Sequence, residues 1–297
     1  MGSESRLPLV SIVVTVKNEE RHLRALLDSL VHQEPPFEVV VVDALSRDGT
    51  LAIALEYQER NPERFRVLSH YGSRGIGRNV GVAEARCDYV AFIDGDCIAD
   101  SQWLAEVREG FRAGDIVAGR TEAVGAARYG QLDRIELFRE GMDVTYPSCN
   151  LGYRRALFER LQGFDPRFIT AEDIDLNLRA VQMGARIHFV PTARVYHQMR
   201  DSLVQFMWQA FWNGYGRKQL TEKHGSLWGN YRFSRLLWTQ HTIIASARLT
   251  AALAGYVTRV LTAGHRNLGR GPPEGEHHPE GDGRSRASSD PTSVHEP

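Results

Sequence analysis

The stretch 89–96 reads YVAFIDGD, an apolar run that ends in two carboxylates separated by a glycine. Side chains two positions apart in an extended strand point the same way, so Asp94 and Asp96 are predicted to face one site. Neighbouring acids repel unless a cation lies between them, and Gly95, which has no Cβ, lets a bulky anion approach the backbone. Hard oxygen ligands suit Mg²⁺ or Mn²⁺ bound together with phosphate oxygens. The stretch therefore predicts a metal-diphosphate site at the end of a strand.

The same Asp-Gly-Asp sequence also fits an ordinary turn after a strand, with an aspartate capping a helix that is predicted to begin near Ser101. Taken alone, the motif leaves both interpretations open. The order of the elements around it favours the metal site.

Apolar runs upstream of this motif alternate with stretches of helical periodicity. Asn18 is a plausible cap for the first helix, whose leucines begin at Leu23. Strands are predicted at 9–16, 37–42 and 64–69, and later helices from 46 and at 77–86. This alternation predicts right-handed crossovers and a parallel sheet, whose ligands lie at the carboxyl ends of the strands.

Polar residues follow three of these predicted strands. Thr15 to Asn18 end the first strand, Asp43 ends the second, and Asp94 and Asp96 end the fourth. The carboxylate of Asp43 can only accept hydrogen bonds, so it suits an N–H of a uracil or guanine edge and leaves the base open. The three groups are expected to meet at one edge of the sheet.

A dinucleotide-binding Rossmann domain is the obvious alternative for such a sheet. That fold needs a glycine-rich turn directly after the first strand, to bring a helix N-terminus onto pyrophosphate. Residues 15–20 read TVKNEE, without a glycine, and the glycines at 72–81 come only after the third strand. A nicotinamide or flavin enzyme is therefore disfavoured.

Beyond Gly114 the pattern becomes mixed, with strands predicted at 115–118, 148–153, 186–190 and 194–196 and helices at 129–140 and from 172. The helix from 172 begins with Glu172, Asp173 and Asp175. The helix dipole explains acids in a first turn, but an acid there that faces the metal site is also a positioned general base. His197 is either an ordinary polar residue or a nitrogen ligand for the metal.

Composition limits the class of protein. The chain has 297 residues, 42% hydrophobic and 25% charged side chains, and a net charge of −1, which predicts one large globular domain with an appendage and argues against a general nucleic-acid binder. Its three cysteines include no CxxC pair, which indicates a reducing compartment without a structural zinc site. Residues 1–8 lack the features of a signal peptide, so a cytoplasmic location is predicted.

The segment 199–263 is basic and aromatic, with eight Lys or Arg against two acids and four of the five tryptophans. Such a segment either lies on a membrane surface or packs its aromatic residues on the core as a helical flap, and both interpretations stay open. Its most apolar run, 242–257, is interrupted by Arg248 and is too short for a transmembrane span. The polar tail 264–297 is predicted to be disordered.

Together these motifs resemble family 2 glycosyltransferases of the GT-A fold, over residues 8–218. The matching parts are VTVKNE at 14–19, Asp43 with DGT at 48–50, GRNVG at 77–81, DGD at 94–96, NL at 150–151, GFD at 163–165 and AED at 171–173. Each part is weak alone, but their order and spacing together are specific.

The resemblance implies an α/β protein with a Rossmann-like, mostly parallel sheet, a smaller mixed region on the acceptor side and C-terminal helices. It implies a GT-A glycosyltransferase domain at 8–198, with a nucleotide-binding half at 8–100 and an acceptor half at 101–198. The basic aromatic helical segment 199–263 and the tail 264–297 would follow this domain.

The resemblance also implies a metal-dependent inverting hexosyltransferase. In it, Asp96 with help from Asp94 and His197 would hold Mn²⁺ or Mg²⁺ on the diphosphate of a nucleoside diphosphate sugar. Asp173 would be the general base in a single displacement, and Glu172 would position the acceptor or Asp173. The donor-binding residues would be Thr15, Asn18, Glu19 and Asp43 around base and ribose, Asp94, and Arg78 near the phosphates.

Residues 205–217 are similar to the helix that follows the catalytic domain in membrane-associated relatives, which build exopolysaccharides or lipid-linked glycans. The Gln-x-x-Arg-Trp motif of processive synthases is absent, so one sugar per encounter is expected. The predicted acceptor is a glycan or lipid-linked hydroxyl, with peripheral contact at the inner membrane face. A nucleotidyltransferase and a non-catalytic GT-A-like scaffold remain as alternatives.

Overall fold

The computed structural model describes residues 9–125, 135–198, 202–231 and 243–268. The strands are β1 (Val10–Val16), β2 (Phe37–Asp43), β3 (Phe65–Ser69), β4 (Tyr89–Asp94), β5 (Cys97–Ala99), β6 (Ile116–Val124), β7 (Phe138–Arg139), β8 (Met142–Asp143), β9 (Leu151–Arg154) and β10 (Ile187–Gln198). The helices are α1 (Leu23–Val31), α2 (Thr50–Arg60), α3 (Arg74–Ala83), α4 (Trp103–Gly110), α5 (Arg155–Arg160), α6 (Glu172–Gln182), α7 (Leu203–His224) and α8 (Ile243–Leu268).

One eight-stranded sheet runs in the order β3-β2-β1-β4-β9-β6-β10-β5, and β7 pairs with β8 separately. The pairs β2–β3, β1–β2, β1–β4 and β6–β10 are parallel, whereas β9 and β5 pair antiparallel with their neighbours. This arrangement confirms the predicted α/β class with a mostly parallel sheet and a mixed region in the second half.

The sheet reverses its strand order at β1, which lies between β2 and β4. Every residue of β1 and β2 is buried, because helices cover both faces of a parallel sheet and each side chain then packs in a core. In the register, Val16 pairs with Asp43, and Thr15 pairs with Asp94. The polar ends of these strands therefore adjoin at a strand-order switch, where open α/β sheets bind their ligands.

Two helix starts differ from the sequence-based predictions. Asn18 does not cap α1: its φ is +56°, and its Oδ1 accepts a hydrogen bond from the Arg47 backbone N–H at 2.8 Å, while His22 precedes the helix. Helix α3 begins at Arg74, because the Ser73 side chain accepts from the Ile76 N–H. The short polar side chain of Ser73 thus starts this helix within the predicted glycine-rich loop.

Three predictions in the second half were wrong in detail. The helix predicted at 129–140 is not helical over its described part, where Phe138–Arg139 forms a strand, and 129–134 lie outside the described residues. The strand predicted at 148–153 begins with a 3-10 turn, Ser148–Asn150. The two strands predicted at 186–196 form one strand, β10, with a register shift between Val190 and Arg194.

The C-terminal helices α7 and α8 pack closely against each other. A Cβ at Gly214 would lie 1.7 Å from the Ala252 carbonyl oxygen, and one at Gly255 would lie 1.9 Å from that of Phe211, so the glycines let the two backbones meet. Helix α8 runs to Leu268, the rest of the predicted tail 264–297 lies outside the described residues, and its disorder stays a prediction. Among the described helices, none has the length and hydropathy needed to cross a bilayer.

Candidate active site

The carboxyl ends of β1 and β2 present two buried polar oxygens. Thr15 and Asp43 are both buried, at 8% and 1% exposure. The Asp43 Oδ2 accepts from the Ser46 backbone N–H at 3.0 Å, but Asp43 Oδ1 and Thr15 Oγ1 have no hydrogen-bond partner among the described residues. Buried polar atoms are almost always paired, so these two oxygens mark the edge at which a polar ligand would complete the structure.

The loop after β1 is tied to the loop after β2. The backbone N–H of Asn18 donates to Ser46 Oγ at 2.9 Å, and that of Glu19 donates to Thr50 Oγ1 at 2.8 Å. The Glu19 carboxylate lies 3.2 Å from His22 Nδ1. Asn18 and Glu19 therefore lie beside Asp43, because β1 and β2 are neighbours in the sheet. Their contact with a nucleotide stays a prediction.

Asp94 and Asp96 do not continue one strand, as the sequence-based geometry assumed. Strand β4 ends at Asp94, residues 95 and 96 form a turn, and β5 begins at Cys97. The turn directs the two acids to different partners: Asp94 Oδ1 lies 2.6 Å from Arg78 Nη2, and Asp96 Oδ2 lies 3.3 Å from His197 Nε2. Each acid thus has a basic partner from the protein itself, an arginine for Asp94 and a histidine for Asp96.

Arg78 links the end of β4 to the start of α6. It is 1% exposed, and its two terminal nitrogens donate to Asp94 at 2.6 Å and to Glu172 at 2.9 Å. Burial lowers the pKa of Arg78, but the carboxylates of Asp94 and Glu172 outweigh burial and raise it above its ordinary value. The guanidinium is thus permanently charged and committed to these two acids.

Asp173 follows Glu172 in the first turn of α6 and is partly exposed. Its Oδ2 accepts from the Ser148 backbone N–H at 3.2 Å, and its Oδ1 accepts from the Ile174 N–H at 2.8 Å. The protein atoms packed around it and the adjacent Glu172 raise the pKa of Asp173 to about 6, against the opposing effect of Arg78. Such a carboxylate is ionised at neutral pH and is a better base than an ordinary aspartate.

His197 lies opposite Cys97 in the antiparallel pair of β10 and β5. Within the described part of the chain, one group could hold a metal ion: ligand atoms of Asp96, Cys97 and His197 all lie within 4.8 Å of one another. The hydrogen bond with Asp96 raises the pKa of His197 to about 9. Oxygen and nitrogen donors so close together fit a divalent cation, and Asp94 lies outside this group.

Helix α6 is attached to α7 through Asp175, which is fully buried. Its carboxylate lies 2.7 Å from Lys223 Nζ, 2.8 Å from His224 Nε2 and 2.9 Å from Arg179 Nη2. Burial raises the pKa of Asp175, but these partners outweigh it and hold the pKa below the usual range. The last turn of α7 therefore fixes the helix that begins with Glu172 and Asp173.

Sequence reasoning missed two features of this site. Cys97 directly follows the Asp-Gly-Asp turn, and that adjacency was the available signal for it. The contact of Lys223 and His224 with Asp175 had no local signal, because 48 and 49 residues separate the partners, counted from 175 to 223 and 224. Only the folded chain brings α7 onto α6.

A profile of the family described as "Glycosyl transferase family 2" matches residues 11–161, and one described as "Glycosyltransferase like family 2" matches 145–216. The glycosyltransferase AglE of Haloferax volcanii is 28% identical over 200 residues, which are 62% of this chain and 65% of AglE. The probable glycosyltransferase YdaM of Bacillus subtilis is 27% identical over 69% of this chain and 53% of YdaM. The chain thus spans less than two-thirds of either relative.

Two solved structures share the fold. Residues 1–349 of S. aureus TarS, in complex with UDP-GlcNAc, superpose with a TM-score of 0.55 at 21% identity, covering 84% of this chain and 81% of that chain. The mannosyltransferase PcManGT from Pyrobaculum calidifontis, in complex with GDP-Man and Mn²⁺, superposes with a TM-score of 0.60 at 18% identity, covering 89% and 81%. These likenesses confirm the predicted GT-A fold.

Proposed function

Because this chain belongs to glycosyltransferase family 2, we propose that it transfers a sugar from a nucleoside diphosphate sugar to an acceptor hydroxyl with inversion. One observation carries the proposal: Arg78 joins Asp94, at the donor end of the sheet, to Glu172, beside the raised-pKa carboxylate of Asp173. The end of β4, beside which the donor diphosphate is proposed to bind, and the carboxylate proposed to accept the acceptor proton are thereby held next to each other. This is the arrangement that a single displacement needs.

The donor nucleoside is proposed to bind along the ends of β1 and β2. Thr15 Oγ1 and Asp43 Oδ1 are buried without a protein partner among the described residues. The carboxylate would accept a base or ribose donor, and the loop of Asn18 and Glu19 would close around the nucleoside. TarS in complex with UDP-GlcNAc and PcManGT in complex with GDP-Man show that this fold accommodates both pyrimidine and purine nucleotides.

Asp96 and His197 would hold a divalent metal, Mn²⁺ or Mg²⁺, on the donor diphosphate. When bound, such an ion stabilises the charge that develops on the leaving nucleoside diphosphate. Asp94 is proposed to orient the donor from its place beside Arg78. Arg78 itself, predicted near the phosphates, is better assigned as a positioning residue, because both of its terminal nitrogens already bind carboxylates.

Asp173 is proposed to remove the acceptor proton. Its carboxylate oxygen takes the hydroxyl proton as the acceptor oxygen attacks the anomeric carbon, and the bond from that carbon to the diphosphate breaks on the opposite side. The backbone N–H groups of Ser148 and Ile174 hold the carboxylate in place. Burial, together with the adjacent Glu172 that Arg78 holds in place, keeps the pKa of Asp173 high.

A glycan or lipid-linked acceptor at a membrane face is supported by the surface of the α7–α8 hairpin. The apolar surface comprises seven large side chains of which 45–77% is exposed: Leu203, Val204, Trp208, Leu249, Leu253, Val257 and Leu261. Basic residues accompany them in both helices. An apolar face with basic neighbours is suited to lie in the headgroup region of an anionic membrane, and the last turn of α7 binds Asp175 of α6.

Ligand-dependent thermal stability tests the enzymatic proposal. The purified chain is titrated with UDP, GDP, dTDP and CMP, each with and without Mn²⁺, alongside the variant Asp96→Ala. A ligand that binds only the native state stabilises it by about 2.7 kcal/mol at a hundredfold excess over Kd. We expect a metal-dependent shift with one nucleotide that is lost in Asp96→Ala; no shift with any nucleotide contradicts donor binding.

Co-sedimentation with anionic vesicles tests the membrane proposal separately. The full chain should bind, and replacement of Val204 and Trp208 by glutamate should weaken binding, because each charge must leave water at the apolar surface. Neutral vesicles of the same size serve as the control for the basic residues. Equal recovery of the wild type with and without vesicles would exclude membrane contact.

A further inference from the structure

The residue after the Asp-Gly-Asp turn is a cysteine that shares the site with Asp96 and His197. Cys97 and His197 are directly opposed in the antiparallel register of β5 and β10, so their side chains lie on the same face of the sheet. The Cys97 Sγ lies 3.8 Å from Asp96 Oδ1, and all three ligand atoms fall within 4.8 Å of one another. Register and distance therefore independently bring sulfur, nitrogen and oxygen donors together.

This donor set is not the one that Mg²⁺ or Mn²⁺ prefers. Those ions select oxygen ligands, whereas thiolate and imidazole select Zn²⁺ and its soft neighbours, at sulfur distances of about 2.3 Å. A second thiol is adjacent, since the Cys97 thiol hydrogen-bonds to that of Cys149, which lies 3.7 Å from Thr121 Oγ1. All three cysteines of the chain are free thiols, so no disulfide occupies Cys97.

We propose that Asp96, Cys97 and His197 form a binding site for a thiophilic divalent metal such as Zn²⁺, which competes with the ion that supports sugar transfer. The first half of this proposal rests on side-chain geometry alone. The second half rests on the proposed function. The chain lacks the paired CxxC motifs of structural zinc sites. This site is built instead across the strands β5 and β10.

Binding requires no oxidation or reduction. The metal replaces the proton of the Cys97 thiol, and any proton carried by His197, and these protons pass to solvent. Cys97 is fully buried, but Asp96 and His197 keep 15% and 29% of their side chains exposed. The ion therefore reaches the sulfur from the side of the site that these two residues open to solvent.

A donor set with one sulfur would also change which ion the site holds at equal concentrations. A hard ion can bind through Asp96 and His197 while the thiol keeps its proton. A soft ion gains the thiolate as a third protein ligand and leaves fewer positions for donor phosphates. Zn²⁺ should consequently bind more tightly than Mn²⁺ and support transfer less well.

Co²⁺ is the probe for the geometry, because a cobalt–thiolate bond gives a near-ultraviolet charge-transfer band. Titration of the reduced, metal-free full chain with Co²⁺ should produce this band at a single equivalent, and Zn²⁺ should abolish it by displacement. The band should be absent from Cys97→Ala and present in Cys87→Ser, which removes the half-buried thiol. Metal-free thermal unfolding establishes that each variant is folded, and Cys97→Ser replaces Cys97→Ala if alanine is not tolerated.

The apparent affinity for Zn²⁺ is measured in each protein from the Zn²⁺ concentration that displaces Co²⁺. We expect at least a tenfold loss in Cys97→Ala, since even partners outside the first coordination shell change metal affinity by about 10–100-fold, and no change in Cys87→Ser. Absence of the band in the wild type, or its survival in Cys97→Ala, overturns the site. If the cobalt band appears but no nucleotide binds in a metal-dependent way, the thiophilic metal site is supported and the proposed function is contradicted. If a nucleotide binds in a metal-dependent way but the band is absent, the proposed function is supported and the thiophilic metal site is contradicted.

Discussion

The Nη2 atom of Arg78 lies 2.6 Å from Oδ1 of Asp94, so the first carboxylate of the Asp-Gly-Asp turn is paired with a cation of the protein itself. The other terminal nitrogen of Arg78 donates to Glu172. A single buried side chain therefore connects the end of β4 to the start of α6. The two ends of the site are joined through this residue, which precedes Asp94 by sixteen positions.

Replacing Arg78 by methionine should strongly destabilise the protein. Two carboxylates would then lose their buried partner, and breaking a buried ion pair costs about 3–5 kcal/mol. Denaturant unfolding measures the loss. Arg74 provides the control, because it lies 3.9 Å from Asp94 but is 68% exposed, and exposed pairs contribute about 0–1 kcal/mol. Equal losses of stability in Arg78→Met and Arg74→Met would show that the buried ion pairs of Arg78 contribute no more to stability than an exposed pair.

The pH dependence of transfer should report the ionisation of Asp173. Because its pKa is raised to about 6, kcat/KM should rise as pH increases through 6 and then level off. Asp173→Asn should lose transfer while nucleotide binding, measured by thermal stability, persists. A pH profile that is flat between 5 and 7 would exclude Asp173 as the titrating base.

In Glu172→Gln, the rise of kcat/KM with increasing pH should occur at lower pH than in the wild type. Burial raises the pKa of Asp173, the negative charge of Glu172 raises it further, and Arg78 lowers it. Removing the charge of Glu172 leaves burial opposed by Arg78, so the pKa of Asp173 falls. Glu159→Gln is a matched control, since its carboxylate pairs with Arg155 on α5. A rise at unchanged pH in Glu172→Gln would mean that burial alone sets the pKa of Asp173.

The stability of the metal-free protein should fall as pH rises toward 9. Asp96 raises the pKa of His197 from 6.5 to about 9, so the protonated imidazole stabilises the folded state. This contribution is complete below about 6.5 and is lost as pH passes through 9. Denaturant unfolding with a chelator present measures it, and His197→Gln should remove that part of the pH dependence. Metal affinity should change in the opposite sense, because a metal binds neutral imidazole.

Gly214→Ala should destabilise the protein although alanine favours helices by about 0.5–1 kcal/mol over glycine. The added Cβ would lie 1.7 Å from the Ala252 carbonyl oxygen, and overpacking typically costs about 1–3 kcal/mol. Thermal unfolding shows whether the substitution raises or lowers the stability of the protein. Asn213→Ala, at the exposed neighbouring position, should be near neutral. A stabilising Gly214→Ala would contradict the close packing of α7 and α8.

The first half of the fold could be predicted because its signals are local. Continuous β-branched runs mark β1 and β2, whose residues are all buried, and the leucines of α1 recur at helical spacing. In the second half, the described part of the helix expected at 129–140 contains the strand Phe138–Arg139, and the two strands expected at 186–196 are one. There, pairing with distant partners overrides local preference.

The amino-acid sequence by itself determined which chemistry meets at the carboxyl ends of the strands, because the order of strands and the residues that end them are written along the chain. Only the tertiary structure decided how those groups are divided. It turned Asp94 toward Arg78 and Asp96 toward His197, set Cys97 opposite His197, and fixed α6 to α7 through Asp175. The reason is physical: charge pairs and cross-strand neighbours depend on side-chain direction and sheet register, and these arise only when residues far apart in the chain pack together.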